Sequence, residues 1–206
     1  MKRAMLSFGV GPHAELLEIA RPSFERFANA HNYELLLDSP DPSGRPPSWD
    51  KVPLILDALN RYDEVLWIGA DCVIVNSHAD ISVPPGYWHA LVCHKTLHDG
   101  EVPNADFWLV RQPMRPVLEE MWASGRHINS PWWEQSHLVE IMGGDADSRP
   151  VVWYEATELY ERTFFLDATW NWHVNDAKKV ENPRVRHATM LSDRASAMRE
   201  WAEQAG

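Results

Sequence analysis

The chain predicts an α/β fold, with a mostly parallel sheet flanked by helices in a single domain of residues 1–206. Two observations point there. Short apolar runs alternate with stretches of helical spacing through the first half, which is the pattern of βαβ units. The composition is that of an ordinary globular protein, 45% hydrophobic and 24% charged over 206 residues. A chain of this size buries roughly 70% of the surface its unfolded form exposes, enough for a core without disulfides.

The elements follow in order. Ala4 to Val10 is a short apolar run read as a first strand, broken by Gly11-Pro12. His13 to His31 repeats Leu16, Leu17, Ile19, Ala20, Phe24, Phe27 and Ala28 at helical spacing, with Pro22 expected near a break or in a first turn. Tyr33 to Leu37 reads as a strand and Asp41 to Pro47 as a loop. Trp49 to Tyr62 reads as a helix. Glu64 to Val75 (EVLWIGADCVIV) is the most strand-like run, interrupted by a small and acidic cluster. Tyr87 to Cys93 and Phe107 to Val110 are further strands; Pro116 to Ser124 and Trp132 to Met142 are helices; Gly143 to Pro150 is a loop. Leu166 to Val174 is irregular, Arg184 to Thr189 a short strand, and Asp193 to Gln204 a terminal helix. A nucleotide half of about 1–112, an acceptor half of about 113–190 and a terminal helix at 193–204 are the expected organisation.

Charge and composition exclude several classes. Nineteen Lys and Arg stand against 30 Asp and Glu, a net charge of −11, which disfavours a broad phosphate-backbone footprint. Two cysteines, Cys72 and Cys93, make neither a disulfide framework nor a CxxC metal site. No apolar run has the roughly 18 residues of a membrane span. The 11 Trp are unusual, because a buried indole N–H needs a partner. Most are expected in the core and some at a cleft that stacks on flat ligands.

The residues that could carry chemistry centre on Trp67-Ile68-Gly69-Ala70-Asp71-Cys72. Ligands of open α/β sheets gather outside the carboxyl ends of strands. A carboxylate there caps a turn or holds a hard divalent cation. His94 and His98 have i, i+4 spacing, but no Glu follows His94 and the flanks read as loop, so no zinc site is expected. His137 and His173 are solvated or core histidines, or line a cleft beside Trp132, Trp133, Trp170 and Trp172.

Trp49-Asp50-Lys51, then VLWIGADCVIVN, resembles the core of GT-A glycosyltransferases, nearest the galactosyl, mannosyl and xylosyl transferases of glycosyltransferase family 34. Trp49, Lys51, Trp67, Asp71 and Asn76 match the family's Trp-x-Lys helix and Trp-(Ile/Leu)-Asp-x-Asp strand in order. Asn104 to Arg111 is similar to its Asn-x-Gly-x-Phe-Leu-x-Arg strand. Trp132 to Gln135, Trp170-Asn171 and His187 match later segments, so the likeness spans about residues 4–190. Two departures stand out: Gly69 replaces the first Asp of Asp-x-Asp, and Asp106 replaces a Gly.

The resemblance implies transfer of a hexose or pentose from a UDP- or GDP-sugar, with retention and with Mn²⁺ or Mg²⁺ held by Asp71 and His187. It implies donor contacts from Ser7, Phe8, Gly9, Asp38, Lys51, Gly69, Ala70, Asp71 and Asn104. Acceptor contacts fall on Asp106, Trp132, Trp133, Trp170 and Asn171, with Asp106 narrowing the acceptor pocket. Glu134 or Gln135 is the catalytic polar group beside the sugar. On the residues alone, Lys51 is equally a solvated helix lysine and Glu134 a helix N-terminal acid. The acceptor stays open among glycan, protein side chain, lipid-linked sugar and modified base, the last disfavoured by charge. An inactive sugar-nucleotide-binding module is the alternative that Gly69 suggests. Without an anchor segment, a cytoplasmic enzyme of microbial or viral type is expected.

Overall fold

A computed structural model describes every residue except Asp38, Asn175, Lys178 and Gly206. The strands are β1 (Arg3–Leu6), β2 (Glu34–Leu36), β3 (Glu64–Ile68), β4 (Cys72–Ile74), β5 (His89–Thr96), β6 (Gly100–Arg111), β7 (Gly144–Asp145), β8 (Val152–Trp153), β9 (Thr163–Leu166) and β10 (Val185–His187). The helices are α1 (Pro12–His31), α2 (Lys51–Ala58), α3 (Arg115–Ser124), α4 (Glu134–Ile141), α5 (Glu158–Glu161) and α6 (Arg194–Gln204).

A six-stranded sheet runs β2-β1-β3-β6-β5-β9. The β1–β2, β1–β3 and β5–β9 pairings are parallel, while β3–β6 and β5–β6 are antiparallel. Alternate residues feed two cores, as the period-2 geometry of strands dictates. Leu66 and Ile68 of β3 pack with Phe24 and Phe27 of α1 and with Met198 and Trp201 of α6. Val65 and Trp67 pack on the other face with Trp49, with Val52 and Ile55 of α2, and with Leu118 of α3 and Leu138 of α4. The doubly covered sheet explains why β3 is apolar at every position except Glu64, which is buried and paired with Arg111 at 2.8 Å.

Several boundaries differ from the sequence reading. The run 64–75 is two strands: β3 ends at Ile68, a turn follows, and β4 leaves the sheet to pair with β10. Pro22 lies inside α1 without ending it, because the apolar stripe of Leu16, Leu17, Ala20, Phe24 and Phe27 stays buried along its whole length. The helix expected over 49–62 is a 3₁₀ turn (Pro47–Asp50) followed by the shorter α2. β6 is a long strand beginning at Gly100, which Pro103 had masked, since proline donates no ladder hydrogen bond. α5 and β9 lie where no element was expected. Among the described residues no helix is long and apolar enough to cross a membrane.

Candidate active site

The site grows from the turn after β3. Gly69 N–H donates to the Asp106 carbonyl (2.7 Å) and Cys72 N–H to the Gly69 carbonyl (3.1 Å), so the chain reverses immediately past the sheet edge. β4 then pairs with β10, setting Cys72 opposite His187, and Ala188 N–H donates to the Asp71 carbonyl (2.8 Å). This ladder brings His187 Nε2 to 3.3 Å from Asp71 Oδ1 across 116 residues of sequence.

Asp106 arrives by a different device. The β5–β6 register jumps from Leu91↔Trp108 to Val92↔Asn104, so Ala105 to Phe107 form a bulge on β6. Bulges re-aim side chains. Here Asp106 Oδ2 lies 3.7 Å from His187 Nε2, and its side chain keeps 36% exposure, the most open member of the cluster. The freed bulge groups are capped by site residues: Lys51 Nζ donates to the Ala105 carbonyl (3.3 Å), and Ala105 N–H donates to Gln135 Oε1 (3.0 Å). Asp106 N–H donates to Asn104 Oδ1 (2.9 Å), which also accepts from Asn171 Nδ2 (2.8 Å).

Lys51 is not a solvated helix lysine. Its side chain is 2% exposed, with Nζ 3.0 Å from Asp106 Oδ1 and 2.6 Å from Glu134 Oε1. Burial alone would lower its pKa, but the two carboxylates outweigh that and hold the ammonium charged. One ammonium serves two carboxylates. Burial pushes Glu134 above the ordinary range despite Lys51, and its Oε2 has no hydrogen-bond partner among the described residues. Burial would also raise Asp71, yet His187, Arg194 and His13 pull it well below. Burial lowers His187, and Asp71 with Asp106 reverses this, leaving it above its usual value.

Arg194 went unnoticed in the sequence. Its Nη1 stands 3.2 Å from Asp71 Oδ2 and 3.2 Å from His13 Nε2. The signal was faint: an arginine in the first turn of α6 opposes the helix dipole, a placement that needs an outside partner.

Other expected residues fall into place unevenly. Ser7, Phe8 and Gly9 follow β1 at the same carboxyl edge. Phe8 packs edge-on against Trp67, so its side chain is core. Gly9 is required, since a Cβ there would sit 2.2 Å from the His13 carbonyl oxygen. Asp38 lies outside the described residues. Ala70 is buried in the turn beside Gly69 and Asp71. Trp133, 44% exposed, precedes Glu134 at the start of α4, and Trp132 carries the Arg149 guanidinium on its ring. Trp170 corrects the expectation of an acceptor platform: it is buried, stacked on Phe107 at 5.7 Å and met edge-on by Phe27, so no face remains for a sugar. His137, on α4, is likewise buried, against Trp49, His127 and Glu120 of α3. His94 and His98 are not brought together: His98 is exposed near the hairpin tip while His94 is buried.

The donor set fits a divalent cation. His187 is buried, its Nε2 faces the Asp71 and Asp106 carboxylates, and its Nδ1 has no hydrogen-bond partner among the described residues. Carboxylate oxygens from Asp71 and Asp106 beside an imidazole suit Mn²⁺ or Mg²⁺. Cys72 Sγ lies within 4.8 Å of the Asp71 and His187 ligand atoms, but burial and the neighbouring carboxylates hold its thiol protonated.

The α/β fold is that of GT-A-like glycosyltransferases of known structure. A glycosyltransferase involved in glycosylating the major capsid of PBCV-1 superposes with a TM-score of 0.73 at 15% identity, covering 98% of this chain and 100% of that one. The glycosyltransferase GlyE of Streptococcus pneumoniae TIGR4 gives 0.63 at 14%, with 98% of this chain spanning 60% of it. The galactosyltransferase LgtC, bound to donor and acceptor sugar analogues, gives 0.60 at 12%, covering 98% and 95%. No protein-family model and no curated protein sequence matches the chain.

Proposed function

We propose that this chain is a glycosyltransferase that moves a hexose or pentose from a UDP- or GDP-sugar to an acceptor, with a divalent cation held by Asp71, His187 and Asp106. The convergence of these three side chains at the carboxyl edge of β3 carries the reading. Asp106 supplies the carboxylate that Gly69 lacks. A Cβ built on Gly69 would lie 3.3 Å from Asp106 Cβ and 3.1 Å from Asp71 Oδ1, so the space for an acid at 69 is filled from the bulge. The two departures from the family pattern are thus one exchange.

When bound, the cation would neutralise the diphosphate that leaves as the glycosidic bond breaks. The chain's own groups do the rest. Arg194, on the outer oxygen of Asp71, is a second cation within reach of the same leaving charge. Lys51 holds Asp106 and Glu134 in place. Glu134 is the catalytic candidate: one oxygen is anchored on Lys51, and the other is buried with no hydrogen-bond partner among the described residues, a polar group held for an oxocarbenium-like sugar. Gln135 fits less well, because its carbonyl oxygen already holds the bulge through Ala105. Ser7 to Gly9 line the nucleoside side, Asn104 and Asn171 a polar wall, and Trp132 and Trp133 the acceptor approach.

Thermal shift and donor hydrolysis with UDP- and GDP-sugars, with and without Mn²⁺, test this. We expect stabilisation by one nucleotide that needs the metal. Asp71→Asn should cut turnover about 10²–10³-fold, and Asp106→Asn should weaken Mn²⁺ dependence measurably. No response to any nucleotide sugar would sink the transferase reading. Unchanged Mn²⁺ affinity in Asp106→Asn would sink only the exchange.

A further inference from the structure

A second set of ligating side chains lies along the same edge, outside the machinery described above. β5 runs parallel to β3, since each is antiparallel to β6, and His94 sits near its carboxyl end. The segment after the 3₁₀ turn at Ala168–Trp170 is laid on β10 through Trp172 N–H to the Val185 carbonyl (3.0 Å) and His187 N–H to the Trp172 carbonyl (2.8 Å). It then turns, with Asp176 N–H on the His173 carbonyl (3.1 Å), and docks on β5 through Ala177 N–H to the Lys95 carbonyl (2.9 Å). This folding carries His173 and Asp176 onto His94.

We propose that His94, His173 and Asp176 form a second metal site, for a late first-row divalent ion of the Zn²⁺ type, that ties His173 and Asp176 to the end of β5. One ligand atom from each residue lies within 4.8 Å of the others. His94 Nδ1 is 2.9 and 3.0 Å from the two Asp176 oxygens, and the rings of His94 and His173 have centroids 4.1 Å apart. The group is buried: the side chains of His94 and Asp176 are 3% and 6% exposed. His94 Nε2, on the other side of the ring from Asp176, is also buried with no hydrogen-bond partner among the described residues. Burial, with His94 beside it, holds His173 down to about 4.

Two imidazoles and one carboxylate leave a fourth position for water in tetrahedral zinc coordination. Nitrogen donors favour Zn²⁺ and Co²⁺ over Mg²⁺. The clip also backs the first site, since the His173 ring meets His187 edge-on at 6.3 Å. It does not depend on the transferase reading.

The test uses chelator-stripped full-length protein in an Asp71→Asn background, which disables the first site. Co²⁺ and Zn²⁺ are titrated, following Co²⁺ d–d absorption, Zn²⁺ calorimetry and the melting temperature. We expect one equivalent of either ion, a raised melting temperature and no competition from Mn²⁺. Adding His173→Asn or, separately, Asp176→Asn should weaken binding at least about tenfold, with the ion-free melting curve showing which variant folds. An Asp71→Asn protein that takes up neither ion would overturn the site, as would unchanged binding in the folded double variant.

Discussion

The cluster at Asp71 and the cluster at His94 share one edge of one sheet, yet opposite chemistry shapes them. Around Asp71 three carboxylates, of Asp71, Asp106 and Glu134, meet two cations, Lys51 and Arg194, and Asp106 opens the group to solvent. Around His94 two buried imidazoles stand beside one carboxylate. The histidines register the difference. His187, facing two acids, is pushed above its ordinary value; His173, facing another imidazole, is pushed down to about 4. Burial disfavours the charged ring in both. What decides the outcome is how many carboxylates look at it.

The largest effect is expected at Lys51. Lys51→Met would leave Asp106 and Glu134 beside each other without their ammonium, and breaking such a buried pair costs about 3–5 kcal/mol. Urea denaturation should show that loss, and adding Glu134→Gln should recover part of it. A double variant no more stable than the single would mean that Glu134 does not depend on Lys51.

His89 offers a third environment, buried with no acid at all. It accepts from Trp108 Nε1 (2.9 Å) and contacts Thr163 Oγ1 (2.7 Å). Burial lowers its pKa from 6.5 to about 3. The unfolded chain therefore takes up a proton near 6.5 that the folded chain refuses until about 3. Its contribution to stability is complete above that window and declines as pH falls through it, by at most about 1.4 kcal/mol per pH unit. His89→Gln should flatten the acid limb of a stability–pH curve, and an unaltered slope would place the acid sensitivity elsewhere.

The smallest effect belongs one residue from His94. Lys95 pairs with Glu101 at 2.8 Å, but both are well exposed. Lys95→Ala should leave the melting temperature unchanged within error, as exposed pairs contribute little. A clear drop would show that the hairpin end, and not the buried cluster, holds this edge together.

Much of the first half was legible because its signals are local. The apolar runs of β1 and β3, the stripe of α1 and the small-acidic turn at Gly69 to Asp71 each declare themselves within a dozen residues. The second half hid more. β9 carries two aromatic residues in a strand that is stable only as the parallel neighbour of β5, and β6 passes through Pro103 and a bulge. Trp170 shows the limit of composition: an aromatic residue beside Asn171 read as a platform and proved to be core.

Sequence alone determined the αβ alternation, the acidic turn after β3, and the late histidine and helix-leading Glu134 as candidates, because periodicity and residue chemistry are written in neighbours. Only tertiary structure decided that Asp106 stands in the space beside Gly69, that Lys51 is buried between two acids, that Arg194 reaches Asp71, and that His94 meets His173 and Asp176. Those pairings depend on a bulge, a strand exchange and a docked turn. Each brings together residues dozens of positions apart, and no local pattern encodes such a distance.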